Sequence, residues 1–191
     1  RRAYSLIYCP VSPLTHDGPM MDAYFEMGAL GLPIMILPMP VTGTTGPASL
    51  FSNICLANAE NLSSIVVYQL ARPARPMIYS SATGTMDMRN GAYVAGSPEM
   101  GLMSAALAEM GRFYGLPSTS AGCTADARQP GPDVVLEKMI TTLAPVLCGS
   151  DIIVGFGEIE GDQLLLLEQI VVDNEIAHFC ERLFRGVDSS P

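Results

Sequence analysis

Two glutamates late in the chain have the spacing of a binding site. In the segment GFGEIEG, Glu158 and Glu160 lie two residues apart, directly after the apolar run 151–154. If the backbone is extended there, both side chains point to the same side of a sheet. Two carboxylates so placed suit the binding of a cation or acid/base catalysis. The alternative is that one or both cap a helix that begins near Asp162.

A second group of candidate residues lies in or beside the long loop 81–97. Asp87 and Arg89 occur there within TMDMRNGAY, and Tyr79 and Tyr93 lie nearby. Aromatic rings together with a carboxylate suit a quaternary ammonium ion, which is held by cation–π contacts and a counter-charge. Connections usually have about 2–6 residues, and a loop this long is typical of a functional or lid-like segment.

Polar residues also follow two other apolar runs. His16 comes after the first run and either reaches a site or is a loop residue beside Asp17. Asp126 and Arg128, in CTADAR, form either a site pair or a loop salt bridge. His178 lies in a predicted helix, where we expect a surface or packing role.

Five short apolar runs, each followed by a long helical stretch, must position these residues. A parallel strand needs a crossover connection, and a helix supplies it, so the pattern predicts a parallel α/β sheet. The predicted strands are Tyr4–Cys9, Ile34–Leu37, Met77–Ser80, Ser118–Ala121 and Asp151–Val154. The predicted helices are Pro19–Ala29, Pro47–Leu70, Pro98–Tyr114, Asp133–Cys148 and Gln163–Arg185. Because α/β proteins place their chemistry at the carboxyl ends of strands, we expect the candidate residues at one edge of the sheet.

The number of these units limits the choice of fold. A closed (β/α)8 barrel needs eight units and about 250 residues, whereas this chain has 191 residues. The alternatives are an incomplete barrel and an open, doubly wound sheet. The sequence lacks a G-x-G-x-x-G motif after any strand, and it is unusually apolar, with 49% hydrophobic and 15% charged residues. We therefore predict an α/β fold: a partial TIM (β/α)8 barrel of about five β/α units, forming a single domain over 1–191 that is part of a larger protein.

Charge and composition exclude several classes of partner. The formal net charge is −9 and Lys and Arg form no cluster, so we expect no nucleic acid and no anionic membrane surface as partner. The apolar stretches are interrupted well before the roughly 20 residues of a spanning helix, which predicts no membrane insertion. The five cysteines show no metal-binding spacing, which predicts no metal site and reduced thiols in the cytoplasm. An open sheet edge predicts self-association into a homo-oligomer.

Three long segments resemble the trimethylamine methyltransferase superfamily. They are the stretch from LPMPVTGTTGPASLF through ENLSSIVVYQLARPARPMIYSSATGTMDMRNGAYVAGSPE, then GRFYGLPSTSAGCTADARQPG, and IVVDNEIA. Family members are longer, so the chain resembles a middle-to-late piece of one. The resemblance implies a TIM barrel that moves a methyl group from an N-methylated amine to the cobalt of a partner corrinoid protein. It thus implies a corrinoid (cobalamin) carried by that partner, with no metal bound by this chain itself.

The resembled family has two branches. One demethylates trimethylamine with the help of pyrrolysine, which an in-frame amber codon encodes, and the other demethylates quaternary amines such as glycine betaine without it. A quaternary ammonium expels a neutral tertiary amine, so the protein needs only to desolvate and align it. Since the sequence holds only standard residues, we favour the quaternary amine. A pyrrolysine-type trimethylamine methyltransferase of methanogenesis is the alternative.

The resemblance gives roles to the residues at the strand ends. The predicted catalytic residues are Glu158, Asp87 and Asp126. The predicted substrate-binding residues are Tyr79, Tyr93, Phe156, Glu160, Arg89, Arg128, Thr83, Thr124 and His16. The aromatic rings would cage the ammonium and Glu158 would supply the counter-charge. Arg89 or Arg128 would hold a betaine-type carboxylate bidentately.

Two other function classes compete with this interpretation. The isolated chain could serve as a non-catalytic module that docks the corrinoid partner. An unrelated lyase or aldolase barrel is disfavoured, because a Schiff base requires a lysine at a strand end. The sole lysine, Lys138, lies on the fourth predicted helix.

Overall fold

A computed structural model describes residues 4–187, and five β/α units follow one another along them. The strands are β1 (Leu6–Tyr8), β2 (Ile34–Ile36), β3 (Val41–Thr42), β4 (Met77–Ser81), β5 (Gly84–Asp87), β6 (Ala92–Val94), β7 (Ser118–Ala121), β8 (Ile152–Val154), β9 (Glu158–Ile159) and β10 (Leu164–Leu165). The helices are α1 (Gly18–Met27), α2 (Leu50–Ala71), α3 (Pro98–Phe113), α4 (Pro132–Leu147) and α5 (Leu167–Arg185). None of these helices, which cover the described part of the chain, is both long enough and apolar enough to cross a membrane.

The main sheet has five parallel strands in the order β1-β2-β4-β7-β8. Because the strand order is sequential and such crossovers are right-handed, the connecting helices all fall on one face. Accordingly α2 contacts α3, α3 contacts α4, and α4 contacts α5. The sheet is curled into a half-barrel. A doubly wound sheet would reverse its strand order and carry helices on both faces, so that alternative is wrong.

The outer face of the sheet holds the hydrophobic core. Side chains from β1, β2 and β4 pack beneath α1 and α2 in a cluster whose buried members are Tyr8, Met21, Ile34, Ile36, Tyr68 and Met77. A second cluster joins β4 to α2 and α3 through Tyr79, Ala57 and Leu107. Successive side chains of a strand point to opposite faces of the sheet. Because the side chains of these strand residues point outward, those of their neighbours along each strand point to the inner face.

The inner face is lined by aliphatic and small residues. Register places Met35 beside Ile7 and Ile78, and Ala121 beside Val154. Residues paired across parallel strands point to the same side of the sheet. The inner face of the half-barrel is therefore apolar towards its carboxyl edge.

Two smaller sheets cover that carboxyl edge. The strands β3, β5 and β6 form one of them, and the hairpin β9–β10 forms the other. The five predicted strands are confirmed, and four of the predicted helices begin within about three residues of those observed. The predicted start of the last helix at Gln163 is wrong, because Leu164 and Leu165 pair with β9 and α5 begins only at Leu167.

Candidate functional site

The loop after β8 separates the two glutamates that the sequence places together. Glu158 lies on β9 and lines a cavity on the inner face of the sheet. Glu160 has a φ of 56°, so the backbone turns there instead of continuing extended. Its carboxylate faces the Arg128 guanidinium, with 3.2 Å between Oε1 and Nε. The expectation that both glutamates point to one side is therefore wrong.

The inner cavity is a space of about 290 Å³ at the carboxyl end of the half-barrel. Its lining consists of Ile7, Met35, Leu37, Met39, Ala82, Ala121, Thr124, Val154, Gly155, Glu158 and Asp162. Most of the wall is apolar, and its charged members are the carboxylates of Glu158 and Asp162. In this chain Ile7 and Met39 of the wall are 47% and 40% exposed.

Both carboxylates lie where negative charge is poorly stabilised. Burial raises the pKa of Glu158, and the Lys138 ammonium partly offsets that rise. Burial, together with the nearby carboxylates of Glu158 and Asp126, raises the pKa of Asp162 to about 6, again opposed by Lys138. Accumulated negative charge in a partly desolvated space favours a bound cation.

Tyr93 stands beside these carboxylates on the hairpin formed by β5 and β6. Its hydroxyl donates a hydrogen bond of 3.1 Å to the Ala82 carbonyl oxygen at the end of β4. Its ring covers Gly84, where an added Cβ would lie 2.3 Å from Cε2 of the ring. Burial raises the pKa of Tyr93, and so do the carboxylates of Asp162, Asp126 and Glu158. The predicted long loop is thus an ordered hairpin that places one aromatic ring next to the acidic residues.

A second, polar cavity of about 400 Å³ lies at the rim of the half-barrel. We call it the rim cavity; it is lined by Asp87, Arg89, Asn90, Ala92, Tyr93, Val94, Asp126, Arg128, Glu160, Gly161 and Gln163. Arg89 donates from Nε and Nη2 to the two oxygens of Asp87, at 3.0 and 2.9 Å. Tyr93 lines the rim cavity and also stands beside the carboxylates of the inner cavity.

Asp126 braces two loops at the rim. Its oxygens accept hydrogen bonds from the backbone N–H groups of Ala95 and Gly96, at 2.7 and 3.0 Å. Both carboxylate oxygens therefore already have backbone donors. The predicted salt bridge between Asp126 and Arg128 is absent, because Arg128 pairs with Glu160, and both residues line the rim cavity.

The predicted cage of three aromatic rings is wrong, because the rings lie on different faces of the sheet. Tyr79 belongs to the outer core, and its hydroxyl donates to Oδ1 of Asn58 at 2.9 Å. Phe156 lines an outer groove together with residues of α4 and α5. Alternation along the strand places Tyr79 outward, so of the three rings Tyr93 alone lies next to the acidic residues.

The structure places His16 away from the inner cavity, whereas Thr124 lines it. His16 is hydrogen-bonded through Nδ1 to the Tyr8 hydroxyl, 2.7 Å away, and Tyr8 is part of the outer core. The Thr124 hydroxyl donates to the Ala95 carbonyl oxygen at 2.8 Å. Thr83 is fully buried, and its hydroxyl has no hydrogen-bond partner among residues 4–187. His178 is exposed on α5, which confirms the expected surface role.

Sequence reasoning missed Asp162, which it treated as the start of a helix. The signal was present, because acidic residues recur at 158, 160 and 162 after the last apolar run. Asp162 in fact has a φ of 66° within the hairpin turn and lines the inner cavity with Glu158. Among the residues that the structure describes, no three His, Cys, Asp or Glu side chains converge as metal ligands. The arrangement suits a small organic cation.

Comparison with known proteins assigns this chain to a family. The family model described as trimethylamine methyltransferase (MTTB) matches residues 2–191. The trimethylamine methyltransferase MttB of Methanosarcina thermophila is 38% identical over 187 residues, which cover 98% of this chain and 39% of that protein. The glycine betaine methyltransferase of Desulfitobacterium hafniense (strain Y51) is 33% identical over 177 residues, covering 92% of this chain and 37% of that protein. This chain thus spans about two fifths of the length of the curated relatives it matches.

Proposed function

The chain belongs to the trimethylamine methyltransferase family, and from that premise we propose that it is part of a corrinoid-dependent amine methyltransferase. The enzyme would take a methyl group from an N-methylated amine, with a quaternary amine such as glycine betaine favoured. It would pass the methyl group to the Co(I) of a corrinoid protein. The half-barrel would be part of a TIM (β/α)8 barrel.

The inner cavity is the observation that carries this proposal. A tetraalkylammonium ion has no N–H to donate, so it is recognised by apolar contact, aromatic faces and a nearby counter-charge. The apolar wall supplies the first, Tyr93 of the adjoining rim cavity would supply the second, and Glu158 and Asp162 supply the third. Substrate specificity for the ammonium group would therefore lie with residues of β8–β10 and of the hairpin β5–β6.

The chemistry asks little acid/base work of this chain when the amine is quaternary. The N–CH3 bond breaks with its electron pair left on nitrogen, so the amine leaves as a neutral tertiary amine and no proton is required. The residues of the inner cavity would exclude water from the ammonium and align one methyl group for transfer. Glu158 would hold the cation until the methyl group is transferred.

The corrinoid group would be presented by a partner protein. When bound, it supplies the Co(I) nucleophile that accepts the methyl group. The described residues fit that role, because the wall of the inner cavity at Ile7 and Met39 is apolar and leaves the approach to a methyl group free of competing charge.

Trimethylamine is the second candidate substrate, favoured by the 38% identity to a trimethylamine methyltransferase. Unlike a quaternary ammonium, it must carry a proton on nitrogen to leave as neutral dimethylamine. The raised pKa of Asp162, about 6, fits a carboxylate that hydrogen-bonds the N–H of such an ion.

A parallel assay tests the proposal. The full-length protein that contains this chain is incubated with Co(I) cobalamin and either glycine betaine or trimethylamine, and the conversion of Co(I) to methyl-Co(III) is followed by its absorbance. Turnover with glycine betaine supports the quaternary-amine assignment, and turnover with trimethylamine alone supports the second candidate. Binding of tetramethylammonium without turnover would indicate a non-catalytic binding module. Absence of both binding and turnover would contradict the proposal.

A further inference from the structure

An ion pair with no exposure to solvent lies behind the loop that carries Glu158. Lys138 of α4 and Asp173 of α5 are both fully buried, and Nζ lies 2.8 Å from Oδ2. The other oxygen of Asp173 accepts a hydrogen bond from Nε2 of Gln169 at 2.8 Å. Neither charge belongs to the lining of the inner cavity, so the proposed chemistry leaves this pair without a direct role.

Each member of the pair also holds a backbone group of a strand-end loop. Lys138 Nζ donates to the Cys123 carbonyl oxygen at 2.6 Å, in the loop after β7. Asp173 Oδ2 accepts from the Gly157 backbone N–H at 2.6 Å, in the loop after β8. The pair thus connects two helices to two neighbouring loops at the carboxyl edge of the sheet.

Both anchored residues have positive φ angles, which only glycine adopts without strain. Cys123 has a φ of 56°, which is uncommon for a residue with a Cβ. Gly157 has a φ of 84°, and a Cβ there would lie 2.8 Å from Cγ1 of Ile170. Strained conformations persist only where the surrounding structure fixes them, and they concentrate at functional sites. The buried pair supplies that support for Cys123 and holds the Gly157 peptide by a hydrogen bond.

We propose that the Lys138–Asp173 ion pair is the positioning element for Glu158 in the inner cavity. Gly157 immediately precedes Glu158, so the hydrogen bond to Asp173 fixes the peptide from which the Glu158 side chain departs. Lys138 fixes the adjacent loop, where Thr124 lines the same cavity. The consequence for amine binding rests on the proposed function, whereas the consequence for the backbone does not.

Physical chemistry supports a role beyond stability for this pair. Replacing a buried ion pair by apolar residues of similar volume is often neutral or stabilising, whereas removing one partner is strongly destabilising. The Lys138 ammonium also partly offsets the burial that raises the pKa of Glu158. A merely structural pair would be replaceable by an apolar one without loss of ligand binding, and a positioning pair would not.

The test uses the apolar double variant K138M/D173L, the near-isosteric variant D173N, and E181Q as a control. Glu181 is an exposed carboxylate on the same helix as Asp173 and pairs with Arg185. Three quantities are measured: the urea midpoint, the hydrogen-exchange rate of the Gly157 amide, and the Kd for tetramethylammonium.

We expect the double variant to recover most of the urea midpoint that D173N loses. Its Gly157 amide should nevertheless exchange at least about tenfold faster than in the parent, relative to amides of α3. Its Kd for tetramethylammonium should rise at least about tenfold, because misplacement of a binding group by a fraction of an ångström weakens its contacts. E181Q should leave all three quantities unchanged.

Parent-like affinity of the folded double variant would overturn the inference, whatever the exchange rate of its Gly157 amide. If that variant does not fold, D173N decides the question through Gly157 exchange alone. If the parent does not bind tetramethylammonium, the proposed function fails, while the exchange measurements still decide whether the pair positions the loop.

Discussion

The Tyr93 hydroxyl donates a hydrogen bond of 3.1 Å to the Ala82 carbonyl oxygen. This contact links β6 to the residue that follows β4 of the main sheet. Ala82 lines the inner cavity and Tyr93 lines the rim cavity, so the bond lies between the two spaces. It fixes the one aromatic ring that stands beside the acidic residues. The first prediction concerns this contact.

Replacing Tyr93 by Phe should lower the free energy of unfolding by about 1 kcal/mol, because the Ala82 carbonyl loses its donor. The ring itself stays in place over Gly84, so the affinity for tetramethylammonium should change little. Urea unfolding and calorimetric titration measure the two quantities. The matched control is Tyr4→Phe, since Tyr4 is 78% exposed. Equal effects of the two substitutions on stability would contradict the assigned hydrogen bond.

Replacing Gly84 by Ala should weaken the binding of tetramethylammonium, which Tyr93→Phe leaves almost unchanged. A Cβ at this position would lie 2.3 Å from the Tyr93 ring, which must then move away from the carboxylates. We expect the Kd for tetramethylammonium to rise about tenfold, equivalent to ~1.4 kcal/mol. Gly18→Ala is the control, because an added Cβ there has no atom within 4 Å. Parent-like affinity of Gly84→Ala would show that the ring does not contribute to the site.

Cation binding should depend on pH through Asp162. Its pKa in the folded chain is about 6, above the ordinary value of 3.8. Since an ionised carboxylate attracts the cation, the affinity for tetramethylammonium should increase as the pH rises through about 6. Between these two pKa values the folded state holds the proton more tightly than the unfolded state does. The contribution of Asp162 to stability is therefore fully present below about pH 4 and is lost as the pH rises to about 6.

Asp162→Asn should remove both effects. Titration calorimetry between about pH 5 and pH 8 should show a smaller increase in affinity, and urea unfolding should show greater stability near pH 7 than in the parent. Asp133→Asn is the control, because Asp133 is an exposed residue in the first turn of α4. If Asp162→Asn kept the full pH dependence of binding, the titrating group would have to be another residue.

Arg128 should contribute to binding of a betaine-type carboxylate and not to binding of the ammonium group. Arg89 is engaged by Asp87 through two hydrogen bonds, whereas Arg128 makes one contact, from Nε to Glu160, and keeps its other N–H groups available. Arg128→Gln should weaken glycine betaine binding about tenfold and leave tetramethylammonium binding unchanged. Arg89→Gln is the control. Because the Arg128 pair is exposed, stability should change by at most about 1 kcal/mol.

The sheet was predictable from sequence because each strand is a short apolar run bounded by turn residues. The direction in which each side chain points was not. Tyr79 follows its strand pattern outward into the core under α2 and α3, and a shift of one residue in the assumed register reverses that direction. Aromatic composition alone therefore suggested a cage that the alternation of the strand excludes.

The loops were harder to predict, because their course depends on residues other than glycine that adopt the left-handed backbone conformation. Glu160 and Asp162 both have positive φ angles, which turn the chain twice within the hairpin β9–β10. The prediction that Glu158 and Glu160 point to the same side depends on an extended backbone, which these two turns interrupt. The sequence excludes Lys138 from Schiff-base chemistry but gives it no other role, because nothing in its sequence neighbourhood indicates that Asp173 lies beside it in space.

The two glutamates now provide a matched pair for the last prediction. Glu158 lines the inner cavity, where burial raises its pKa, whereas Glu160 pairs with Arg128 at the rim. Glu158→Gln removes one of two counter-charges next to an apolar wall and should raise the Kd for tetramethylammonium about tenfold, equivalent to ~1.4 kcal/mol. Glu160→Gln removes the same charge two residues away and should leave that Kd within about twofold, since solvent screens the rim. Calorimetry on both variants separates proximity from net charge, because the substitutions change the total charge equally. If both variants weaken binding alike, the cation is attracted by the acidic surface as a whole. The inner cavity is then not the binding site.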